Sequence, residues 1–315
     1  MDNLRENLIR KLDEQVKFRL NTNRILRLLK EPLSLKFFRM IRFFNKINKD
    51  FICETFWGDR VIIPVPPFMD IVKYKSYMYD PEVRLQKFLI KHFPENSIFI
   101  DIGACFGYYS LLVSTIDNNG QIFSIEADPN SYYYLKTNLN LSKKNNIKIF
   151  NIAISEINCE IDFFIPQKGH IGWGTLVKDA FMTRKSNFKK ISIQSMTLDY
   201  FCKLNNIIPN FIKIDVEGSE YKVIQGALDI LQKYKPILSL EVEFDVNNFN
   251  FINFSYKDAI KTLQSLGYNI FFIDDNGDIN KINFNDMMSI LKDNFLKKKK
   301  ISFESCYDNL IFIKN

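Results

Sequence analysis

From residue 97 onward the sequence alternates short apolar strands with helical stretches, and that alternation decides the fold class. Ser97–Ile102, Gln121–Glu126, Ile147–Ile152, Phe211–Asp215 and Ile237–Glu243 read as strands. The stretches 106–116, Asn130–Leu141, Leu198–Leu204 and Tyr221–Gln232 between them read as helices. Strands that are apolar on both faces must be covered on both sides, so the pattern predicts an α/β protein. Its core is a mostly parallel, twisted Rossmann-like sheet with helices on both faces. Ile161–Ile165 and Ile191–Ile193 read as short strands flanking a polar loop around 166–190. Residues 256–275 repeat helix then strand, and 301–313 offer a final strand. Three parts follow: a basic helical extension with a proline-containing linker over 1–80, a core over 81–245, and an extension over 246–315 that completes the sheet.

Residues 1–50 read as helical, with Leu4, Leu8, Ile9, Leu12 and Val16 forming one apolar stripe. Pro64, Pro66 and Pro67 mark a loop or short edge strands before the core. The formal charge of +7 is concentrated at this end, because residues 1–50 hold 13 Lys/Arg against 6 Asp/Glu. The remainder carries 30 of each sign and is neutral. A nucleic-acid-binding body would need its own basic groove, since phosphate neutralisation supplies most of the affinity. No nucleic-acid partner is therefore expected. The basic arm is read either as a solvated helix face or as a peripheral contact with an anionic membrane or a protein.

The turn Asp101-Ile-Gly-Ala-Cys-Phe-Gly107 follows a strand and opens a helix. Gly103 allows a tight turn, Gly107 allows close approach of a ligand, and Asp101 can bind a ligand's ammonium or orient the turn. Nineteen residues beyond Gly107, the second strand ends in Glu126, where an acid can accept both ribose hydroxyls. Together these features point to a cofactor containing adenosine. Cys105 stands where a dinucleotide fingerprint requires glycine. The turn therefore suits a cofactor with an amino-acid tail better than one with a pyrophosphate.

The second constellation is Phe211-Ile-Lys-Ile-Asp-Val-Glu-Gly-Ser-Glu220. It delivers Asp215 and Glu217 to the carboxyl end of a strand, where open α/β sheets bind ligands. Glu241 and Glu243 close the next strand nearby. Such carboxylates could serve as a general base, orient an acceptor hydroxyl, or hold a divalent cation through oxygen ligands; alternatively they cap the following helix. Nothing in the sequence demands a metal. Glu217 is the first choice as base or metal ligand, with Asp215 at the cofactor end and Glu241 in support. His170 is the competing base, from a loop that could close over the site. Trp173 could stack on a sugar face or anchor the loop.

From about residue 97 to 243 the chain resembles the FkbM-type methyltransferase family. The likeness lies in "DIGACFGYYSLL", "SIEADPN", "NIAIS", "GWGTLV", "MTLDYF", "FIKIDVEGSEYKVIQGA" and "KPILSLEVE", in the family's order. It implies a class I methyltransferase fold, S-adenosyl-L-methionine as cofactor, and methyl transfer to a hydroxyl. It also implies a sugar as acceptor, in a glycan, glycolipid or nucleotide-sugar. It implies that Ala153 lines the adenine pocket and sets Thr175 where serine is frequent. With the residue reading above, the candidate cofactor residues are Asp101, Gly103, Ala104, Gly107, Glu126, Ala153 and Asp215, and the candidate acceptor residues Trp173 and Thr175. Two departures are Cys105-Phe106, in place of a small polar–apolar pair, and Ala127, in place of a common proline.

A dehydrogenase on the same core is disfavoured by the missing G-x-G-x-x-G and by the lack of a Tyr-x-x-x-Lys relay beside the site. A non-catalytic cofactor-binding module is disfavoured by the intact acids. The five cysteines are scattered and odd in number, and there are two histidines, so zinc-ligand spacing is absent. This usage, the charged N-terminus and the lack of an apolar run of about 18 residues fit a cytoplasmic protein.

Overall fold

The computed structural model describes residues 2–21, 36, 49–65, 67–167, 171–177, 187–245, 250–251, 254–297 and 305–314. Helix α1 (Asp2–Asn21) is followed by a hairpin of β1 (Lys49–Glu54) and β2 (Arg60–Val65), then by α2 (Met69–Tyr74) and α3 (Asp80–His92). The core runs β3 (Ile98–Ile102), α4 (Tyr108–Ile116), β4 (Gln121–Ile125), α5 (Pro129–Ser142) and β5 (Ile147–Phe150). A small sheet of β6 (Ala153–Ile154), β7 (Glu160–Pro166) and β8 (Phe188–Met196) interrupts it. Next come α6 (Leu198–Asn205), β9 (Phe211–Ile214), α7 (Glu220–Gln225), α8 (Leu228–Tyr234), β10 (Ile237–Asp245) and β11 (Asn250–Phe251). The chain closes with α9 (Phe254–Ser265), β12 (Asn269–Ile273), β13 (Ile279–Ile282), α10 (Phe284–Lys297) and β14 (Ser305–Ile313).

In the main sheet the order is β13-β12-β14-β10-β9-β3-β4-β5, with β11 on β10. Strands β5, β4, β3, β9 and β10 run parallel. Strand β14 enters antiparallel between β10 and β12. The chain winds outward from β3 to β5, then returns to the other side of β3 as β9. That reversal leaves a crevice at the carboxyl ends of β3 and β9, the place where open α/β sheets bind ligands.

Two apolar layers cover the sheet. Ile100, Ile102, Ile212, Ile214, Leu238 and Leu240 face α6 to α9. Phe99, Phe211, Ile122 and Ile311 face α3 and α4, and the N-terminal hairpin and α1 belong to this second layer. Leu8 and Leu12 of α1 are buried there, while Leu4 remains exposed. The basic residues of α1 are partly consumed by the fold. Arg5 donates to the Lys91 and Phe93 carbonyls at the end of α3 at 3.0 and 2.7 Å, and Arg19 donates to the Met78 carbonyl. Cations suit helix carboxyl ends, so α1 is fastened to the body rather than held out as an arm. Residues 22–35 and 37–48 lie outside the described residues.

The stretch 221–232, expected as one helix, is divided into α7 and α8. The Asp199 carboxylate accepts from the amides of Asp229 and Ile230 at 3.1 and 2.9 Å and starts a new helix there. Pro64 sits inside β2, where its missing N–H costs little in a two-stranded sheet. Among the described residues no helix is long and apolar enough to cross a membrane.

Candidate active site

At the glycine turn, Gly103 and Ala104 both donate to the Ile125 carbonyl, at 2.9 and 3.0 Å, which binds the turn to the end of β4. Gly103 has φ +82°, and a Cβ there would stand 1.8 Å from the Asp215 carbonyl oxygen. Only glycine allows that approach. The next strand end supplies Glu126, 7% exposed, whose Oε2 accepts from the Cys105 amide at 2.7 Å and Oε1 from the Asp128 amide at 2.8 Å. Burial pushes the Glu126 carboxyl up to about 8; the Asp128 charge adds to the rise, and the two amides pull back. Asp128 caps α5 through the Asn130 amide. Gly107 opens α4, and the side on which its Cβ would lie faces Leu135 of α5. Packing against α5 and the left-handed φ of +91° therefore already require glycine at this position.

The acidic turn follows β9. Glu217 and Gly218 have φ +58° and +99°. Cys105, at φ +52°, is the matching left-handed residue of the glycine turn. Such conformations are uncommon outside glycine and gather at functional turns. Lys75, Lys143, Asn206 and Lys235, also left-handed, cap helices instead. Asp215 and Glu217 are not the caps of α7. Ser219 is the N-cap of α7 and makes no side-chain capping bond, whereas Glu220 Oε1 accepts from the Val216 and Gly218 amides of the preceding turn at 3.1 and 3.2 Å. The other oxygen of Glu220 is buried without a hydrogen-bond partner, and burial pushes its carboxyl up to about 8.

A loop over residues 171–177 lies across both turns. A Cβ on Gly172 would stand 3.2 Å from Cys105 Sγ, and one on Gly174 2.7 Å from the Phe163 ring. Thr175, fully buried, donates to the Glu217 carbonyl at 2.8 Å and accepts from the Val177 amide at 3.0 Å. Its hydroxyl is thus a fastener between loop and acidic turn, not a group offered to an acceptor. Trp173 is half-buried in the same loop. His170 lies outside the described residues. Ala153 is buried in β6, packed with Phe163, Ile165 and Ile193.

On the sheet face toward α3 and α4 the layer changes from apolar to polar near the carboxyl ends. Ser124, Asp101, Lys213 and Ser239 stand in register on four consecutive strands, all buried. Ser110 of α4 donates to Asp101 Oδ2 at 2.6 Å and pairs with Ser124 at the same distance. Asp101 Oδ1 and Ser239 Oγ are buried with no hydrogen-bond partner. Lys213 donates to Asp215 Oδ2 at 2.7 Å and lies 5.0 Å from the centre of the Tyr109 ring. Tyr109 in turn donates to Glu82 of α3, which also accepts from Asn309 of β14 at 3.5 Å. Asn309 faces Glu241 across the β10–β14 pair.

Charge in this crevice is unbalanced. Burial raises Asp101, and Lys213 pulls it back. Glu241 is raised well above its ordinary value by burial, then by Asp215, Glu217 and Glu82. For Lys213 burial acts downward, yet Asp215, Asp101 and Glu82 outweigh it and hold the ammonium above its usual range.

The fold therefore brings Asp101, Gly103, Ala104, Glu126, Asp215, Glu217 and Glu241 to one crevice. Lys213, Glu82, Ser110 and Asn309 belong to it as well and escaped the sequence reading. For Lys213 the signal was present: a charged residue inside a strand that is otherwise apolar on both faces. Among the described residues no group of three acidic, cysteine or histidine side chains is placed to hold a metal ion.

The chain is similar to solved structures of low identity. The methyltransferase FkbM from Methylobacillus flagellatus KT shares 16% identity over 70% of this chain, with a TM-score of 0.42. This chain spans 44% of that protein's length. A precorrin-6y C5,15-methyltransferase from Geobacter metallireducens GS-15 shares 15% over 74% of this chain and 85% of its own (TM-score 0.37). M. jannaschii TYW2, solved in complex with AdoMet, shares 13% over 84% and 87% (TM-score 0.40). None of these similarities bears on the acceptor. No curated protein matches the chain significantly in sequence. The family model of the methyltransferase FkbM domain matches residues 101–270, a stretch that begins at Asp101 and holds the glycine turn, Glu126, the acidic turn and Glu241. The chain belongs to that family and is an S-adenosylmethionine-dependent methyltransferase.

Proposed function

We propose that the chain is an O-methyltransferase that places the methyl group of S-adenosylmethionine on a sugar hydroxyl of a glycan, glycolipid or nucleotide-sugar. The observation that carries the reading is the convergence of Asp215, Glu217 and Glu241 beside the glycine turn, with Glu217 held left-handed.

The residues fit the cofactor. The unpartnered Asp101 Oδ1 suits an ammonium, and the Gly103 turn leaves no side chain in its way. Glu126 has lone pairs beyond the two amides it accepts, available to ribose hydroxyls. Ala153 would wall the adenine. When bound, the cofactor supplies an electrophilic methyl group on a sulfonium.

The chain's own task is alignment and proton removal. Alignment of an acceptor oxygen is worth roughly 7–11 kcal/mol of barrier. Glu217 is the base in this reading and takes the acceptor's proton at its carboxylate, a contribution of about 10²–10⁴-fold. Asp215 fixes the cofactor end and Glu241 supports Glu217. Trp173 offers its ring face to a sugar. The neutral charge of residues beyond the first 50 favours such an acceptor over nucleic acid. The sugar itself rests on the FkbM resemblance.

The test is transfer of labelled methyl from S-adenosylmethionine to saccharides, nucleotide-sugars and glycolipid headgroups. Label in a methyl ether that survives mild base is the expected product. Label confined to base-labile esters, or to RNA, would contradict the reading.

A further inference from the structure

We propose that Lys213 is a positioning residue for the cofactor end of the crevice, fastening the Asp215 carboxylate and balancing the charge of Asp101. This inference rests on the cofactor reading above.

Lys213 occupies the third place in the buried row Ser124, Asp101, Lys213 and Ser239. Its side chain is 4% exposed, whereas that of Asp215 is 26% exposed, so the lysine lies beneath the carboxylate it holds. The groups facing it come from every neighbouring element: Asp215 at the end of its own strand, Asp101 from β3, Glu82 from α3, the Tyr109 ring from α4, and Glu241 from β10. Burial raises Asp101, and Lys213 pulls it back toward the charged form, which suits a ligand with a cationic tail. Removing the Lys213 cation would leave Asp101 buried beside like charges, and a carboxyl so placed takes up a proton.

A purely structural lysine makes a different prediction. Lys213→Met lowers stability in either role, because removing one partner of a buried ion pair leaves the other charge uncompensated. A purely structural lysine, however, leaves the affinity of the folded variant and its pH profile unchanged. The two roles therefore separate in binding rather than in folding.

The experiment is calorimetric titration with S-adenosylhomocysteine at several values between about pH 5.5 and pH 9, on the wild type, Lys213→Met and Lys213→Arg. Thermal unfolding runs alongside. Lys213→Met is expected to weaken binding by about 30-fold or more at neutral pH. Part of the affinity should return as pH rises and Asp101 loses its proton. Lys213→Arg should recover most of the affinity and the wild-type pH profile. Binding by Lys213→Met within about twofold of the wild type, with the same pH profile, would overturn this inference alone. If Lys213→Met does not fold, Lys213→Arg decides, since loss of binding in a folded charge-retaining variant would contradict the role. A wild type that fails to bind would overturn the cofactor reading together with this one.

Discussion

Gly103 and Asp215 meet across the point where the strand order reverses. The position of a Cβ on Gly103 is 1.8 Å from the Asp215 carbonyl oxygen, and the Asp215 amide donates to the Ile102 carbonyl at 3.1 Å. The glycine turn and the acidic turn are therefore one unit: a shift in either moves the other. Gly103→Ala must displace one turn from the other and also carries the cost of a left-handed alanine, about 1–2 kcal/mol. Affinity for S-adenosylhomocysteine should fall at least about tenfold, with a lower Tm. A variant with unchanged affinity would show that the two turns are independent.

Thr175 ties the covering loop to the acidic turn through the Glu217 carbonyl. Thr175→Val keeps the shape and removes that bond. A loss of about 1–3 kcal/mol is expected, with faster proteolysis near residues 171–177 and a higher KM for the acceptor. The cofactor affinity should change little. Unfolding and limited proteolysis measure the first two effects.

Some of this site was legible in the sequence because it is local. Asp101, Gly103 and Gly107 sit on one turn, Glu126 ends the following strand, and Asp215 and Glu217 end another; strand period and spacing suffice to place them. The rest depends on contacts that no window of sequence contains. Glu82 is 227 residues from Asn309, and the buried pair of Arg84 with Asp308 spans 224. Thr175 looked like a ligand contact, and only its burial against Glu217 shows what its hydroxyl holds. Helix α1, the described part of the basic extension, is likewise docked by contacts distant in sequence, since Arg5 and Arg19 donate to backbone carbonyls.

Glu217 is expected to act on the acceptor rather than on the cofactor. Glu217→Gln should keep S-adenosylhomocysteine affinity within about twofold and lower kcat by about 10²–10⁴-fold. Its backbone contact with Thr175 survives the change, so Tm should hold. Full activity of this variant on the true acceptor would remove Glu217 from the chemistry.

Glu220 makes stability depend on pH. Its folded carboxyl is pushed up to about 8 from an ordinary 4.5, by burial first. Between those values the folded state binds the extra proton, so this group's contribution is fully present below about pH 4.5 and is lost as pH rises through 8. The slope from one such group is at most about 1.4 kcal/mol per pH unit. Glu220→Gln cannot ionise, so its Tm relative to the wild type should climb steadily between about pH 5 and pH 8.5. A constant difference across that range would show that Glu220 titrates normally.

The most direct measurement is calorimetric titration of the wild type and Glu126→Ala with S-adenosylhomocysteine, with NAD titrated in parallel. Saturable binding of S-adenosylhomocysteine to the wild type, its loss in Glu126→Ala, and no heat from NAD are expected. Binding of NAD in its place, or undiminished binding of S-adenosylhomocysteine by Glu126→Ala, would contradict the cofactor reading.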